Sequence, residues 1–393
     1  MSRENTGFRH LSNRLARVMH DVDAREALPS ILSEDRINSV LLLTSRSLLH
    51  SPLVRSLRAN VRVETTVYGG CRPHSPSTCV LEAIATLSNC RPDAIVAIGG
   101  GSVIDTAKAV AIALWRNIGS PDRLSELLGR PPRVNSMDGE PGPRIIAIPT
   151  TLSAAELSPV GGMLNETTSI KEVVGHEYAI PRSIIYDPRA LVDTPREILL
   201  ASGVKALDHA AETLCAVSGN AFAAPLAERA VLLLGRSLPL IANALDAGGE
   251  PPLSSLGEAQ LACWMSVAGP AHGVSVGASH AIGHALGAVC GVAHGLTSCV
   301  TLAPVLRWNF RYSAEAQHLI AKTLSGGSDQ DAAATVECFV RGLGLPLRLS
   351  EIGVDPDKFV GIAEVAFADH CTATNCRPIV SVNDIVEILE MAA

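Results

Sequence analysis

Two groups of residues in this chain could do chemistry. The first is Gly99-Gly100-Gly101-Ser102, with Asp105 and Lys108 just downstream. Glycines let a backbone approach a ligand closely, and a helix N-terminus offers unpaired N–H groups to an anion. A diphosphate is the natural guest of such a turn. The second group is a set of histidines. Lys205 and His209 are four residues apart and share one helical face, as do His280 and His284. His294 follows a break at Gly291. Imidazoles from two helices and a loop can converge, and three of them can hold zinc. Two readings stand for these histidines: a convergent nest, or separate polar residues satisfied near helix ends.

These groups need elements to position them. Ala94–Ile98 is apolar without alternation, which predicts a strand buried on both faces. Val103, Ile104, Ala107 and Val110 then recur at helical spacing, so the glycines join a strand to a helix running from about 102 to 115. The same alternation is expected upstream and downstream: strands at Ser39–Thr44, Val61–Tyr68, Arg144–Ile148 and Ile184–Tyr186, and helices at Ser47–Leu57 and Ser77–Ser88. This predicts an α/β, Rossmann-like parallel-sheet domain with ligands at the carboxyl ends of its strands. Beyond Pro188 the strand signal fades. Ala- and Leu-rich segments at about 195–218, 221–246, 254–269, 278–290, 313–324, 330–343, 355–370 and 382–392 predict an all-α second domain. We place the boundary at 187/188, giving domains 1–187 and 188–393. Residues 117–143 are expected to form an exposed excursion.

The 393 residues exceed one ordinary core, in keeping with two domains. A net charge of -7 argues against a nucleic-acid surface, and 3% aromatic residues argue against base-stacking platforms. No long apolar run free of charge predicts a membrane helix, and the opening Met-Ser-Arg-Glu-Asn-Thr lacks a signal-peptide core. The ten cysteines contain no C-x-x-C pair. They read as buried free thiols in a cytoplasmic protein. The expected partner is a small molecule, with no nucleic acid and no membrane.

Ala94–Val110, Pro149-Thr150-Thr151 with Glu156, Tyr186-Asp187-Pro188, His280-x3-His284-Ala-Leu-Gly and Ala293-His294-Gly295 together resemble the iron-containing (group III) alcohol dehydrogenases. The resemblance runs from about residue 35 to the end. The nearest branch is similar to maleylacetate reductase, through His74-Ser75-Pro76, Ile180-Pro181 and Thr374-Asn375-Cys376-Arg377-Pro378. It implies the dehydroquinate synthase-like architecture, a homodimer, and hydride transfer between NAD(P) and a carbonyl, enone or alcohol. It implies that Gly99, Gly100, Gly101 and Ser102 hold the cofactor diphosphate, with Asp105 in the same helical turns. Thr150 and Thr151 would line the nucleotide site, and His284 would sit near the nicotinamide. Lys171 and Arg377 become candidates for contacting an acidic substrate.

The chain departs from that family at two chemical positions. Family members hold iron or zinc with one Asp and three His. The His positions match His209, His280 and His294, but Lys205 stands where the Asp is expected. Asp208 lies about 100° round the helix from His209 and reads as a poor substitute. An ammonium about 4 Å from a divalent cation would repel it by on the order of 8 kcal/mol at an effective dielectric of 20. The expectation is therefore that iron and zinc are absent and that Lys205 takes the metal's place. The alternative is a Lys205 that points to solvent. The second departure is Ser45-Arg46, where the family carries an Asp against the adenosine ribose. Loss of the carboxylate and gain of a cation favour NADP over NAD. A repurposed lyase or cyclase on the same fold, or a non-catalytic homologue, are the competing functions.

Overall fold

The computed structural model describes residues 15–87, 91–124, 127, 141–166, 168, 170–327 and 331–393. Residues 1–15 read as an added N-terminal segment; all of it but Leu15, and the middle of the 117–143 excursion, lie outside the described residues. The chain divides into two compact units, with the break between Thr194 and Pro195.

The N-terminal unit runs β1 (Arg17–His20), α1 (Ala24–Glu34), β2 (Ser39–Ser45), α2 (Pro52–Asn60), β3 (Glu64–Cys71), α3 (Ser77–Ala85), β4 (Ala94–Gly99), α4 (Gly101–Trp115), a single turn α5 (Pro121–Leu124), β5 (Arg144–Pro149), β6 (Val160–Asn165), β7 (Ile170–Gly175) and β8 (Ser183–Tyr186). Six strands form one sheet in the order β1-β8-β5-β4-β2-β3, every pair parallel. β4 and β5 are buried at every position, as their unbroken apolar sequences require. Alternate side chains feed two cores. Leu41, Leu43, Ile95 and Ala97 pack with α3 and α4, while Leu42, Val96, Ile98 and Ile146 pack with α1 and α2.

The chain leaves β2 for β3 on one side and returns to β4 on the other. The carboxyl ends of β2 and β4 are therefore neighbours at the point where strand order reverses, where open α/β sheets bind ligands.

Three local expectations differ from what is observed. The helix expected at Ser47 begins at Pro52, because the Ser51 hydroxyl accepts from Val54 N at 3.2 Å and proline fits a first helical turn. The strand expected at Val61 begins at Glu64. The short edge strand β1 and the antiparallel hairpin β6–β7 were not anticipated. The hairpin is held by α4, where the fully buried Lys108 donates to the carbonyls of Ala155 and Val160 at 2.8 and 2.6 Å.

The C-terminal unit is helical, without a strand among the described residues: α6 (Arg196–Cys215), α7 (Ala223–Asp246), α8 (Leu253–Ser266), a single turn α9 (Ala268–Ala271), α10 (Ala278–Cys290), α11 (His294–Ser325), α12 (Ala332–Gly342), α13 (Phe359–Phe367) and α14 (Val382–Met391). α6 packs against α7, α8 and α11 and is buried almost all round. The sequence reading recognised only the second half of α11. The helix begins at His294 and breaks at Ser313, whose φ of -137° is not helical. Gln317 repairs the break by donating to the Leu306 carbonyl at 2.7 Å.

Candidate active site

In the N-terminal unit, Ser45, Gly99–Ser102, Thr150 and Thr151 gather at the carboxyl ends of the adjacent strands β2, β4 and β5. The Gly99-Gly100 corner is a cradle that a side chain would fill. A Cβ on Gly99 would lie 2.5 Å from Val103 Cγ2, and one on Gly100 would lie 2.9 Å from Thr151 Cγ2. The first N–H groups of α4 have no intrahelical acceptor and face this corner. Thr151 Oγ1 is buried there with no hydrogen-bond partner among the described residues. These features fit an anionic ligand such as a dinucleotide diphosphate.

Ser102 also braces the turn after β3. Its hydroxyl accepts from His74 N at 3.2 Å, and its carbonyl accepts from Ser75 Oγ at 2.9 Å. Asp105 is turned inward: its oxygens accept from Lys108 Nζ at 3.0 Å and Gly162 N at 3.0 Å. Arg46 is exposed beyond β2, and Ser45 Oγ lies 2.9 Å from Ser47 Oγ. Glu156 is fully buried and accepts from the Tyr186 hydroxyl at 2.8 Å; burial pushes its carboxyl above the usual range. Lys171 lies in β7, and its side chain is outside the described part of the structure.

In the C-terminal unit, α6 presents Lys205, Asp208, His209 and Glu212, and α10 presents His280 and His284. The His209 and His280 rings lie 4.6 Å apart, and the His280 and His284 rings 6.4 Å. Lys205 does not reach solvent. Its side chain is 4% exposed, and Nζ lies 3.6 Å from Asp208 Oδ2. Nor is Asp208 turned away from the cluster, as its angle from His209 suggested. Three residues from Lys205 it shares that residue's face, and Oδ2 accepts from Ser298 Oγ at 2.6 Å and lies 3.8 Å from His280 Nδ1. Both sequence readings are corrected by the same fact: α6 is buried, so its polar face has nowhere to go but inward.

Glu212 assembles the two helices. Its carboxyl accepts from Gly277 N at 2.9 Å and Ser279 N at 2.8 Å, satisfying amides at the start of α10, and meets His280 Nδ1 at 2.6 Å. It thus caps α10 from α6 and fixes the His280 ring. Asn375 Oδ1 takes the remaining amide, Ala278 N, at 3.2 Å. Burial and the Asp208 carboxylate push Glu212 up to about 8. Burial opposes the Asp208 charge, but the Lys205 ammonium and the Ser298 hydroxyl hold its carboxyl below the usual value. Burial, His280 and Lys205 hold His209 well below the usual imidazole range, and burial and Lys205 do the same to His280. Four buried atoms in this nest have no hydrogen-bond partner among the described residues: Lys205 Nζ, Asp208 Oδ1, His209 Nδ1 and His280 Nε2.

His284 is different. Its side chain is 43% exposed, and Nδ1 is held by Asp369 Oδ2 at 2.9 Å. Asp369 is fixed in turn by Cys371 N at 2.8 Å. This is the arrangement of an oriented proton carrier. His294 opens α11, and its side chain lies outside what is described. Arg377 stacks 3.4 Å over the Trp308 ring and donates to the Trp308 carbonyl. Asp208, Glu212 and Asp369 were not singled out from the sequence as site residues. The first two carried a legible signal, lying three and seven residues after Lys205 on one helical face. Asp369 carried none.

Residues 16–188 match the family described as iron-containing alcohol dehydrogenase, and residues 199–393 match that family's C-terminal part. A dehydrogenase of Alternaria alternata is 30% identical over 89% of this chain and 98% of its own. A maleylacetate reductase of Sphingobium indicum is 30% identical over 81% of this chain and 79% of its own. A crystal structure of 1,3-propanediol oxidoreductase superposes with a TM-score of 0.83 at 25% identity, covering 98% of this chain and all of that one. The chain belongs to the iron-containing alcohol dehydrogenase family. It is an NAD(P)-dependent oxidoreductase. Among the described residues no helix is long and apolar enough to cross a membrane.

Proposed function

We propose that this enzyme uses NADPH to reduce the carbonyl or conjugated alkene of a small acidic molecule, with Lys205 in the role its family gives to a metal ion. The observation that carries this reading is the buried Lys205 ammonium, 3.6 Å from Asp208 but, like three other buried atoms beside it, without a hydrogen-bond partner among the described residues. Such a nest is costly unless a polar guest completes it.

Iron or zinc does not fit that nest. A divalent ion beside Asp208 would stand against the Lys205 ammonium, whose Nζ lies 3.6 Å from Oδ2, and that oxygen already accepts from Ser298. We therefore route no step through a metal. Bound at the glycine corner, reduced nicotinamide supplies the hydride. Lys205 Nζ donates to the substrate oxygen and stabilises the negative charge that develops there. His284, oriented by Asp369, holds the proton that completes the reduction. His209 and His280, kept neutral by burial, lie beside Lys205 without adding positive charge that would compete with it.

Exposed Arg46, with Ser45 and Ser47 in place of a carboxylate, supports NADPH through contact with the 2′-phosphate. Relatives named as maleylacetate reductases support an unsaturated oxo-acid as the substrate class.

The test is turnover by chelator-treated, metal-analysed protein, followed through the near-ultraviolet absorbance of the reduced nicotinamide, with oxo-acids, enoates and simple aldehydes compared. Sustained NADPH consumption without bound metal is expected. One tightly held iron or zinc per chain, whose removal abolishes turnover, would refute the role given to Lys205.

A further inference from the structure

A second donor cluster lies at the outer end of the site. His284 is on α10, and Asp369-His370-Cys371 form the turn that follows α13. The turn is pinned: Cys371 N donates to Asp369 Oδ1 at 2.8 Å, Thr372 N to the Asp369 carbonyl at 3.1 Å, and Thr372 Oγ1 to the Ala366 carbonyl at 2.5 Å. It brings the ligand groups of four residues side by side. His284 Nδ1 is 2.9 Å from Asp369 Oδ2, His370 Nδ1 is 3.3 Å from Asp369 Oδ1, and His370 Nε2 is 3.4 Å from Cys371 Sγ. One ligand atom each from His284, Asp369 and Cys371 lie within 4.8 Å of one another.

We infer that His284, Asp369, His370 and Cys371 form a zinc-binding site that silences the enzyme by capturing His284. Zinc bonds of about 2.0–2.1 Å to nitrogen or oxygen and about 2.3 Å to sulfur place tetrahedral ligands roughly 3.4 Å apart. Donor atoms of His284, Asp369 and Cys371 already stand within 4.8 Å of one another, and the exposed His370 ring turns one nitrogen inward to complete the four. Two imidazoles, one carboxylate and one thiol suit zinc and not magnesium or calcium, which take oxygen ligands. The cluster is graded from solvent inward: His370 is 86% exposed, His284 43%, Asp369 17%, and Cys371 is buried. An ion can therefore enter past His370 and be closed in by the thiol. Among the described residues Asp369 pairs with imidazoles and with no Lys or Arg, in contrast to Asp208.

On binding, the His284–Asp369 hydrogen bond opens, the Nδ1 proton passes through water to Nε2, and the Nδ1 lone pair and the Asp369 oxygen turn to the ion. The Cys371 S–H bond breaks, the sulfur electron pair goes to zinc, and the proton goes to buffer. No oxidant or reductant is needed. The site stands on the geometry alone; its inhibitory effect rests on the role of His284 proposed above.

The probe is cobalt(II), titrated into the full-length protein and read by absorption. One ion per chain and a sulfur-to-cobalt charge-transfer band are expected, with zinc displacing the band. Cys371→Ser should abolish the band and weaken zinc by about 100-fold, and His370→Ala should weaken it by about 10-fold. Neither residue acts in turnover, so both variants should match the parent without added zinc and resist inhibition when it is added. No band in the parent protein, or a band that survives Cys371→Ser, overturns the site. Zinc inhibition that is unchanged in both variants overturns the regulatory role. Should the parent fail to consume NADPH at all, the proposed activity falls while the cobalt titration still decides the site.

Discussion

Replacing Lys205 by methionine separates a structural amine from a catalytic one. The substitution keeps the length of the side chain and removes the ammonium 3.6 Å from Asp208 Oδ2. Asp208 is then a buried carboxylate without its nearest cation, keeping the Ser298 hydroxyl at 2.6 Å. Breaking a buried pair in this way costs about 3–5 kcal/mol. For a unit of about 200 residues each kcal/mol moves the melting temperature by about 2–4 °C, so a fall of roughly 6–20 °C is expected. The double variant Lys205→Met/Asp208→Asn removes both charges, and neutral replacement of a buried pair is close to stability-neutral. Its melting temperature should return most of the way. Turnover should not return with it. Losing a preorganised donor to a developing oxyanion costs about 10²–10³ in kcat. The assays are thermal unfolding, NADPH binding by fluorescence and NADPH consumption on all three proteins, with nicotinamide affinity unchanged throughout. If the double variant regains stability and turnover together, Lys205 is a structural partner of Asp208 and the electrophile assigned here is wrong.

Three further outcomes are expected. Gly100→Val fills the space beside Thr151 Cγ2 and should weaken NADPH binding by at least about 10-fold, worth roughly 1.4 kcal/mol, with little change in melting of the C-terminal unit; unchanged affinity in a titration would remove the glycine corner from the cofactor site. Ser45→Asp with Arg46→Ala restores a carboxylate beside the ribose and removes the cation, and should move the ratio of kcat/KM for NADPH over NADH down by about 10-fold or more; an unmoved ratio places the selectivity elsewhere. Glu156 has its folded pKa raised by burial above 4.5, so the folded chain holds a proton that the unfolded chain releases. Stability contributed there is present below that value and is lost as pH climbs through the raised one. Glu156→Gln should therefore melt progressively higher than the parent as pH is raised from about 5 to 8, and parallel melting curves across that range would show that Glu156 does not titrate in it.

Much of this protein is legible in one dimension. Unbroken apolar runs at Ala94–Ile98 and Arg144–Ile148 specify strands buried on both faces, because only a central parallel strand hides every side chain. The turn at Gly99–Ser102 announces itself through residue type, since a Cβ would not fit there. The i,i+4 pairs Lys205/His209 and His280/His284 identify two helical faces that carry chemistry. What the sequence did not decide is which way a polar side chain turns when its helix is buried all round. Asp208 joined the nest and Lys205 was denied solvent because α7, α8 and α11 enclose α6, a fact of packing between segments far apart in the chain. Glu212 capping α10 across 65 residues, and Asp369 orienting His284 across 85, belong to the same class. Local periodicity fixes which face of a helix a residue occupies; only the completed tertiary structure fixes what that face meets, and in this enzyme the chemistry lies in the meeting.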